Sequence, residues 1–316
     1  MGKVSQYAAV DIGATNVRVS YGDVDGLKEK LSERTDHDNG PGGVARQIIR
    51  MLRSLDVNVK AIGVGSIGPI DVKTGTIINT PNLPFKRMPV VAPLNKAFTV
   101  PVGMLNDCSA AVLGEQAYGA GRGLKNLVYV TLSTGLGGGA IVDGHLLVGK
   151  DGNAVEIGHL TIDSNSPLTC GCGCRGHWEA YSSGVGIPRF AASLLEGRSL
   201  DGVIGQMTSG NPGNLTAEVI YGAARAGDPA ALDFVNAIGE VNAVGFADLV
   251  NVFDPELMTV GGSIALKNPD LVVDPILESI DGHLINRRPE IVITPLGDDV
   301  VLYGALALAM KQIPSR

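Results

Sequence analysis

Apolar residues in the first third of the chain fall into short runs separated by glycine-rich turns. Segments 7–10 and 17–21 have the composition of strands, and a helix is predicted over about 44–55. Apolar runs at 60–65 and 100–105 predict two further strands. Strands that alternate with helices in this way predict an α/β fold.

The second half of the chain opens with a similar order of elements. Predicted strands at 127–132 and 140–142 flank a glycine turn. The pattern Asp-x-Gly-x-Thr at 11–15 corresponds to Ser-x-Gly-x-Gly at 133–137, and each follows a strand. This correspondence predicts an internal duplication, and the alternative is two unrelated glycine hairpins.

Three later segments extend the pattern. Apolar residues recur every three or four positions over 232–249, which predicts a helix with one buried face that ends at Asp254-Pro255. An apolar run at 257–260 predicts a strand. The apolar segment 300–310 predicts a terminal helix or a strand–helix junction.

The length of 316 residues is sufficient for two domains. No low-complexity linker separates them, so we expect the boundary inside ordered structure near Ser109. The predicted domains are a small α/β domain of residues 1–108 with about 300–316, and a larger α/β domain of residues 109–299 that carries the candidate metal site.

Composition and charge exclude several classes of protein. Hydrophobic residues make up 45% of the chain and charged residues 18%, which is typical of a globular protein rather than a disordered one. The net charge is −7 and the basic residues form no cluster, so we expect no nucleic acid or membrane partner. No apolar stretch reaches the ~18 residues of a membrane span, and no signal sequence is recognised, so we expect a cytoplasmic protein.

Glycine accounts for 43 of the 316 residues, about twice its usual share, and some glycine patterns are typical of phosphate binding. The G-x-G-x-x-G pattern at 63–68 resembles a dinucleotide motif, but Pro69 follows where a helix should begin, and 72–106 contains no acid to bind a ribose. The pattern at 144–150 resembles a P-loop but continues with Asp151 instead of Ser or Thr. Neither pattern predicts a nucleotide site.

The two glycine hairpins are better candidates for a phosphate site. Successive backbone N–H groups in a glycine turn form a concavity for anions, and Thr15, Ser133 and Thr134 add hydroxyl donors. Two such turns can face one polyphosphate. Asp11, at the end of the first strand, is suited to hold Mg²⁺ through water, and capping of the turn is the alternative.

Asn106 and Asp107 follow an apolar strand and precede a predicted helix that starts near Ser109. The carboxyl ends of strands in open α/β sheets are where ligands bind, so Asp107 is suited to act as a general base. Capping of the helix by Asp107 is the alternative.

Cysteine and histidine residues concentrate in one segment. Cys170, Cys172 and Cys174 lie beside His177, and His159 lies a short distance upstream. Thiolates and imidazoles at these separations suit tetrahedral Zn²⁺, and four protein ligands are typical of a structural site rather than a hydrolytic one. A redox thiol cluster is the alternative, which is disfavoured because a Cys-x-Cys pair closes only a strained disulfide.

Together these motifs resemble the ROK family of sugar kinases, and in particular its microbial glucokinase and hexokinase members. Segments 11–18 and 133–139 resemble the family's two phosphate motifs, and Asn106-Asp107 resembles its sugar-ligand and catalytic-base pair. Segments 156–159 and 170–179 resemble its most specific signatures. One departure is that His177 stands where a last Cys is usual, while Cys174 fills a variable position.

The resemblance implies an actin-like, ribonuclease H-like ATPase fold of two α/β domains with a central cleft. It implies ATP-dependent transfer of a phosphoryl group to the 6-hydroxyl of glucose, in carbohydrate metabolism and glycolysis. The implied cofactors are ATP, Mg²⁺ and a structural Zn²⁺, and the implied assembly is a homodimer.

The resemblance also assigns roles to individual residues at matching positions, with Asp107 as the catalytic base. The implied sugar-binding residues are Gly68, Asn82, Asn106, Asp107, Glu156, His159 and Glu179. The implied nucleotide-binding residues are Asp11, Gly13, Thr15, Thr134, Gly135, Gly137, Gly261 and Gly262. The implied zinc ligands are His159, Cys170, Cys172 and His177, with Cys174 as the alternative to His177.

Other functions stay open at this point. A kinase of N-acetylmannosamine, N-acetylglucosamine or fructose fits the same motifs. A non-catalytic, zinc-stabilised sugar-binding protein is a second hypothesis, and a nicotinamide-dependent oxidoreductase based on 63–68 is a third. Retention of Asp107 beside Asn106 favours a kinase over a binding protein, because a binding protein has no use for a base there.

Overall fold

The structure is a computed structural model that describes residues 6–80, 84–195, 197 and 199–312. The strands are β1 (Gln6–Ile12), β2 (Asn16–Asp23), β3 (Gly26–Arg34), β4 (Val59–Ser66), β5 (Ile70–Asp71), β6 (Thr76–Ile78), β7 (Arg87–Pro89), β8 (Val102–Asn106), β9 (Leu127–Leu132), β10 (Leu136–Val142), β11 (His145–Leu146), β12 (Leu257–Gly261) and β13 (Glu290–Ile293). The helices are α1 (Gly43–Ser54), α2 (Val91–Phe98), α3 (Asp107–Tyr118), α4 (Glu179–Ser182), α5 (Gly186–Leu194), α6 (Gly202–Thr208), α7 (Ala217–Arg225), α8 (Pro229–Phe253), α9 (Ser263–Lys267), α10 (Pro269–Ser279) and α11 (Val300–Lys311).

The chain divides into two compact units. Unit 1 comprises Met1–Tyr129, Gly139–Val155 and Pro295–Arg316, and unit 2 comprises Val130–Gly138 and Glu156–Thr294. Among the described residues, no helix is both long enough and apolar enough to cross a membrane.

Two five-stranded sheets share one topology. The first has the strand order β3-β2-β1-β4-β8, and the second has the order β11-β10-β9-β12-β13. In the first sheet β2 pairs antiparallel with β3 and β4 pairs parallel with β8, and at the matching places of the second sheet β10 pairs antiparallel with β11 and β12 pairs parallel with β13. This strand-for-strand correspondence supports the internal duplication predicted from the two glycine hairpins.

The first sheet is covered on both faces within unit 1. Successive strand residues point to opposite faces, so Val10 packs with Ile48 and Met51 of α1, whereas Ala9 packs with Leu302 of α11. The small antiparallel sheet of β5, β6 and β7 adds to the α1 side of this core. The terminal segment predicted as a helix or a strand–helix junction is the helix α11.

Helices α3 and α11 approach each other closely in unit 1. A Cβ atom at Gly304 of α11 would lie 1.7 Å from the carbonyl oxygen of Ala110 in α3. A Cβ atom at Gly114 of α3 would lie 2.6 Å from the carbonyl oxygen of Val300. The absence of a side chain at these positions is therefore what lets the two helices touch.

This helix pair explains why the division of the chain differs from the predicted one. The sequence predicted a boundary between 1–108 and 109–299, near Ser109. In the structure Ser109 lies inside α3. Because α3 packs on α11 and on the end of β8 through Leu105, it belongs to unit 1. The division falls instead at the borders of 130–138 and 156–294.

Unit 2 is built around the long helix α8. Asp228 caps its first turn by accepting a hydrogen bond from the Ala231 N–H, and Pro229 occupies the first helical position. The helix ends at Asp254, whose backbone is left-handed (φ 44°), directly before Pro255. The predicted end of this helix is therefore confirmed.

We expect Gly304→Ala to lower the free energy of unfolding by about 1–3 kcal/mol, because the added methyl group would overlap the Ala110 carbonyl oxygen. Urea unfolding followed by circular dichroism measures the change. Gly282→Ala is the matched control, because a Cβ atom at Gly282 would meet no atom within 4 Å. Equal unfolding midpoints for the two variants would contradict the close helix contact.

Candidate functional site

Asp11 lies at the end of β1, opposite Arg18 in the register of β1 with β2. It is 6% exposed, and its carboxylate accepts hydrogen bonds from the Arg18 guanidinium, with a distance of 2.8 Å from Nε to Oδ2. Burial raises the pKa of the Asp11 carboxyl, and the charge of Arg18 acts against this shift. Nη1 of Arg18 donates to the carbonyl oxygen of Asp298 at 2.7 Å. Asp11 is thus held by a cation of its own chain.

The first glycine turn follows Asp11. The Gly13 N–H donates to the carbonyl oxygen of Asn16 at 2.9 Å, which closes the hairpin between β1 and β2. The hydroxyl of Thr35 donates to the carbonyl oxygen of Gly13 at 2.8 Å. Thr15 is exposed, and its carbonyl oxygen accepts from the Thr35 N–H at 2.9 Å. Two neighbouring segments therefore fix the shape of this turn.

Asn106 is the N-cap of α3. Its Oδ1 accepts hydrogen bonds from the N–H groups of Cys108 (2.9 Å) and Ser109 (3.4 Å). A Cβ atom at Gly68 would lie 3.1 Å from Asn106 Nδ2, so the amide nitrogen points toward the backbone of Gly68. Asp107, at the first position of the helix, is half-buried, and its Oδ1 accepts from the Cys108 N–H at 2.8 Å. Unit 1 thus brings Gly68, Asn106 and Asp107 together.

Two other residues bear on this part of unit 1. Asn82, predicted to bind sugar, lies outside the described residues. Asn153, which the sequence analysis missed, holds Ile70 through two hydrogen bonds of 2.9 Å. Its Oδ1 would lie 3.8 Å from a Cβ atom at Gly68. A single Asn in a loop carries no sequence pattern that would have identified it.

The second glycine turn, residues 133–137, is fixed within unit 2. The Gly184 N–H donates to the carbonyl oxygen of Ser133 at 2.8 Å, and the Leu136 N–H donates to Glu179 Oε2 at 3.1 Å. Thr134 is exposed, while Gly135 and Gly137 are half-buried.

The turn at Gly261-Gly262 lies next to this second glycine turn. A Cβ atom at Gly262, whose φ is +86°, would lie 2.4 Å from the carbonyl oxygen of Leu132. The hydroxyl oxygens of Ser133 and Ser263 lie 3.1 Å apart. Two of the predicted nucleotide-binding segments are therefore neighbours in unit 2.

Four side chains of unit 2 converge on one point. His159 Nδ1 lies 3.3 Å from His177 Nδ1 and 3.7 Å from Cys170 Sγ. Cys172 Sγ lies 3.3 Å from His177 Nδ1, and all four ligand atoms lie within 4.8 Å of one another. The exposed Cys174 is not part of this group, so the structure brings together the set that contains His177.

This cluster has the dimensions of a tetrahedral metal site. From usual bond lengths to Zn²⁺, two nitrogen ligands lie about 3.3 Å apart and a nitrogen and a sulfur about 3.6 Å apart. The observed 3.3 Å between the two imidazole nitrogens and 3.7 Å between His159 and Cys170 agree with these values. Burial raises the pKa of the Cys170 thiol to about 12, so a bound cation must displace its proton.

The remaining predicted sugar ligands of unit 2 lie around this cluster. Glu179 begins α4, two residues after His177, and its Oε1 lies 3.3 Å from Cys170 Sγ. Glu156 immediately precedes the short 3-10 turn Ile157–His159. Desolvation raises the pKa of Glu156, the charge of His159 lowers it and that of Glu179 raises it. Two carboxylates and an imidazole are therefore neighbours here.

The two alternative glycine patterns lack the structure that their motifs need. No helix begins at Pro69, because β4 ends at Ser66 and β5 begins at Ile70. Residues 151–155, which follow the pattern at 144–150, contain no helix. These findings agree with the rejection of both as nucleotide sites.

The duplicated sheet, the two glycine turns and the acid at the start of α3 define an α/β protein of the actin-like type. The chain belongs to the ROK family, whose sequence profile matches residues 7–312. It is 42% identical to a glucokinase from Pyrobaculum calidifontis over 308 residues, which cover 98% of this chain and 96% of that protein.

Solved structures of the family share this fold. A ROK family glucokinase from Streptomyces griseus, in complex with glucose and AMPPNP, superposes with a TM-score of 0.80 at 31% identity and covers 97% of this chain and 100% of that one. A ROK hexokinase from Thermus thermophilus gives a TM-score of 0.82 at 31% identity, over 97% of this chain and 98% of that one. The fold class expected from the sequence, a two-domain actin-like α/β fold, is confirmed.

We expect Asn106→Ala to lower the free energy of unfolding by about 1 kcal/mol, because two N–H groups of α3 lose their cap. Asn106→Asp is the matched control, since a carboxylate caps equally well and should leave stability within a few tenths of a kcal/mol of the native chain. Urea unfolding measures both. Unchanged stability of Asn106→Ala would show that the cap does not contribute.

Proposed function

We propose that this chain is an ATP-dependent glucose kinase that phosphorylates the 6-hydroxyl of glucose. The observation that carries the proposal is identity of 42% to a glucokinase over 98% of the chain, combined with Asp107 at the start of α3 beside the capping Asn106. The Streptomyces griseus relative, whose structure is described with glucose and AMPPNP, supports both substrates.

Asp107 is the proposed general base. Its carboxylate accepts the proton of the sugar 6-hydroxyl as that oxygen bonds to the γ-phosphorus, while the bond from the γ-phosphorus to the bridging oxygen breaks and ADP leaves. The Cys108 N–H and the N-terminus of α3 stabilise the negative charge of the carboxylate before the transfer. The same contacts hold Asp107 in one orientation.

The two glycine turns are the proposed phosphate-binding elements, with Gly13 and Thr15 in the first and Thr134, Gly135 and Gly137 in the second. The Gly13 N–H is used within its own hairpin, so the other N–H groups and the hydroxyl groups of these turns are the donors proposed to stabilise the negative charge that spreads over the phosphoryl oxygens. Mg²⁺ bound with the nucleotide supplies further charge neutralisation. Asp11 is proposed to hold its water ligands, and Gly261-Gly262 to lie near the adenosine.

Zn²⁺ is the proposed occupant of the cluster of His159, Cys170, Cys172 and His177. Four protein ligands leave no open position, so its chemistry is structural. His159 faces the cluster with Nδ1, which leaves Nε2 protonated and free to donate to a sugar hydroxyl. Ligation of His159 through Nδ1 would fix this tautomer.

The proposed sugar contacts are Gly68, Asn82, Asn106, Glu156, His159 and Glu179. The capping Oδ1 of Asn106 is used within the chain, so its Nδ2 is the group proposed to donate to a sugar hydroxyl. Kinases of N-acetylmannosamine, N-acetylglucosamine or fructose would use the same base. A role in glycolysis, a cytoplasmic location and a homodimeric state stay predictions from the sequence.

We expect Asp107→Asn to bind glucose with near-native affinity but to lose about 10² to 10⁴ in kcat, because the amide forms hydrogen bonds yet cannot accept the proton. A coupled assay of ADP release measures kcat, and calorimetric titration measures glucose affinity. Asp143→Asn, at an exposed turn, is the matched control and should be fully active. Native kcat in a folded Asp107→Asn variant would remove Asp107 from the mechanism.

We expect purified protein to contain about one zinc ion per chain. His177→Ala should lose the metal and weaken glucose binding, because it removes a ligand of the cluster. Cys174→Ser is the control and should retain both properties. Elemental analysis measures the metal content, and a fully active, metal-free protein would overturn the proposal.

A further inference from the structure

Helix α4 lies between the metal cluster and the second glycine turn of unit 2. It spans Glu179–Ser182 and begins two residues after the cluster residue His177. At its first residue, Glu179 Oε2 accepts a hydrogen bond of 3.1 Å from the Leu136 N–H. Just past its end, the Gly184 N–H donates to the carbonyl oxygen of Ser133 at 2.8 Å. Both ends of α4 therefore hold residues 133–136.

The contact between Glu179 and the turn leaves little space for movement. A Cβ atom at Gly135 would lie 3.0 Å from Glu179 Oε2. A Cβ atom at Gly158 would lie 2.2 Å from the carbonyl oxygen of Leu136 and 3.5 Å from Glu179 Cβ. The segment that leads into His159 thus packs on the same residues. A shift of α4 or of this segment would displace the turn.

Trp178 connects the cluster to α4 rigidly. Its side chain is fully buried, and its indole Nε1 donates to Asn242 Oδ1 of α8 at 2.8 Å. The ring packs on Gly245, where a Cβ atom would lie 2.5 Å from it, and edge to face with Phe246. The anchored Trp178 therefore limits the movement of the cluster residue His177 relative to the first residue of α4.

We propose that Glu179 is a positioning residue for the second glycine turn, and that α4 couples occupancy of the metal cluster to binding of the nucleotide phosphates. The inference rests on the proposed function, in which this turn binds the phosphates of ATP. It assigns to Glu179 and the metal a role in nucleotide binding that is separate from any contact with the sugar.

The first test compares two substitutions of Glu179 without sugar. Gln retains an oxygen that accepts from the Leu136 N–H, whereas Ala does not. Glu179→Ala should therefore weaken binding of Mg-AMPPNP about tenfold in calorimetric titration, while Glu179→Gln should stay within about twofold of the native chain. If Glu179 contacted only the sugar, both variants would bind the nucleotide like the native chain, and the proposal would fail.

The second test uses the reciprocity of coupled binding. If metal and nucleotide stabilise the same arrangement of α4, saturating Mg-AMPPNP should raise the affinity for zinc about tenfold in equilibrium competition with a chelating dye. The effect should persist in Glu179→Gln and vanish in Glu179→Ala. The same mixture without protein corrects for zinc bound by the nucleotide itself. Because the native chain alone can show the coupling, the test stands even if Glu179→Ala fails to fold.

The outcomes separate this inference from the function on which it rests. A native chain that binds Mg-AMPPNP but whose zinc affinity is unchanged by it would overturn the coupling while leaving the kinase proposal intact. A native chain that does not bind Mg-AMPPNP would overturn the proposed function, and the coupling with it.

Discussion

Contact between backbone segments at glycine residues is the constraint on which both units depend. In unit 1, Gly304 lets α11 rest on the Ala110 carbonyl group of α3. In unit 2, Gly158 lies against the carbonyl oxygen of Leu136 within the second glycine turn, and Gly262 lies against that of Leu132 directly before it. A side chain at any of these positions would separate elements that carry site residues. The glycine excess therefore has a packing origin besides the proposed phosphate contacts.

The proposed chemistry follows from this packing, because each reactive group is fixed at the end of a regular element. Asp107 is held at the start of α3, directly after β8, and Asp11 is held at the end of β1 by Arg18. In unit 2 the candidate metal cluster includes His177, which lies two residues before α4, and Glu179 of α4 in turn accepts a hydrogen bond from the second glycine turn. Phosphoryl transfer needs positioned charges more than covalent chemistry, and the structure provides fixed positions for them.

Local features of the fold were predictable from the sequence, and long-range contacts were not. The strand at 127–132 and the end of α8 at Asp254 were predicted correctly. An apolar run and the dipeptide Asp-Pro each determine the backbone conformation of the residues nearest to them, so a local pattern is enough to predict both features. The cluster of His159, Cys170, Cys172 and His177 was predictable as a group because its members are close in sequence, although the choice of His177 over Cys174 needed coordinates. The assignment of α3 to unit 1 depends on its contact with α11, which lies nearly 200 residues later in the chain. No local sequence pattern predicts this contact. The same holds for the bond from Leu136 to Glu179, which joins residues 43 positions apart.

The most direct test of this account is the acceptor specificity of the purified protein. With ATP and Mg²⁺, release of ADP should be measured for glucose, fructose, N-acetylglucosamine and N-acetylmannosamine, and the phosphorylated position should be determined by phosphorus NMR. The account predicts the highest kcat/KM for glucose, with glucose 6-phosphate as the product. Absence of sugar-dependent ADP release, or a clear preference for an N-acetylhexosamine, would contradict it.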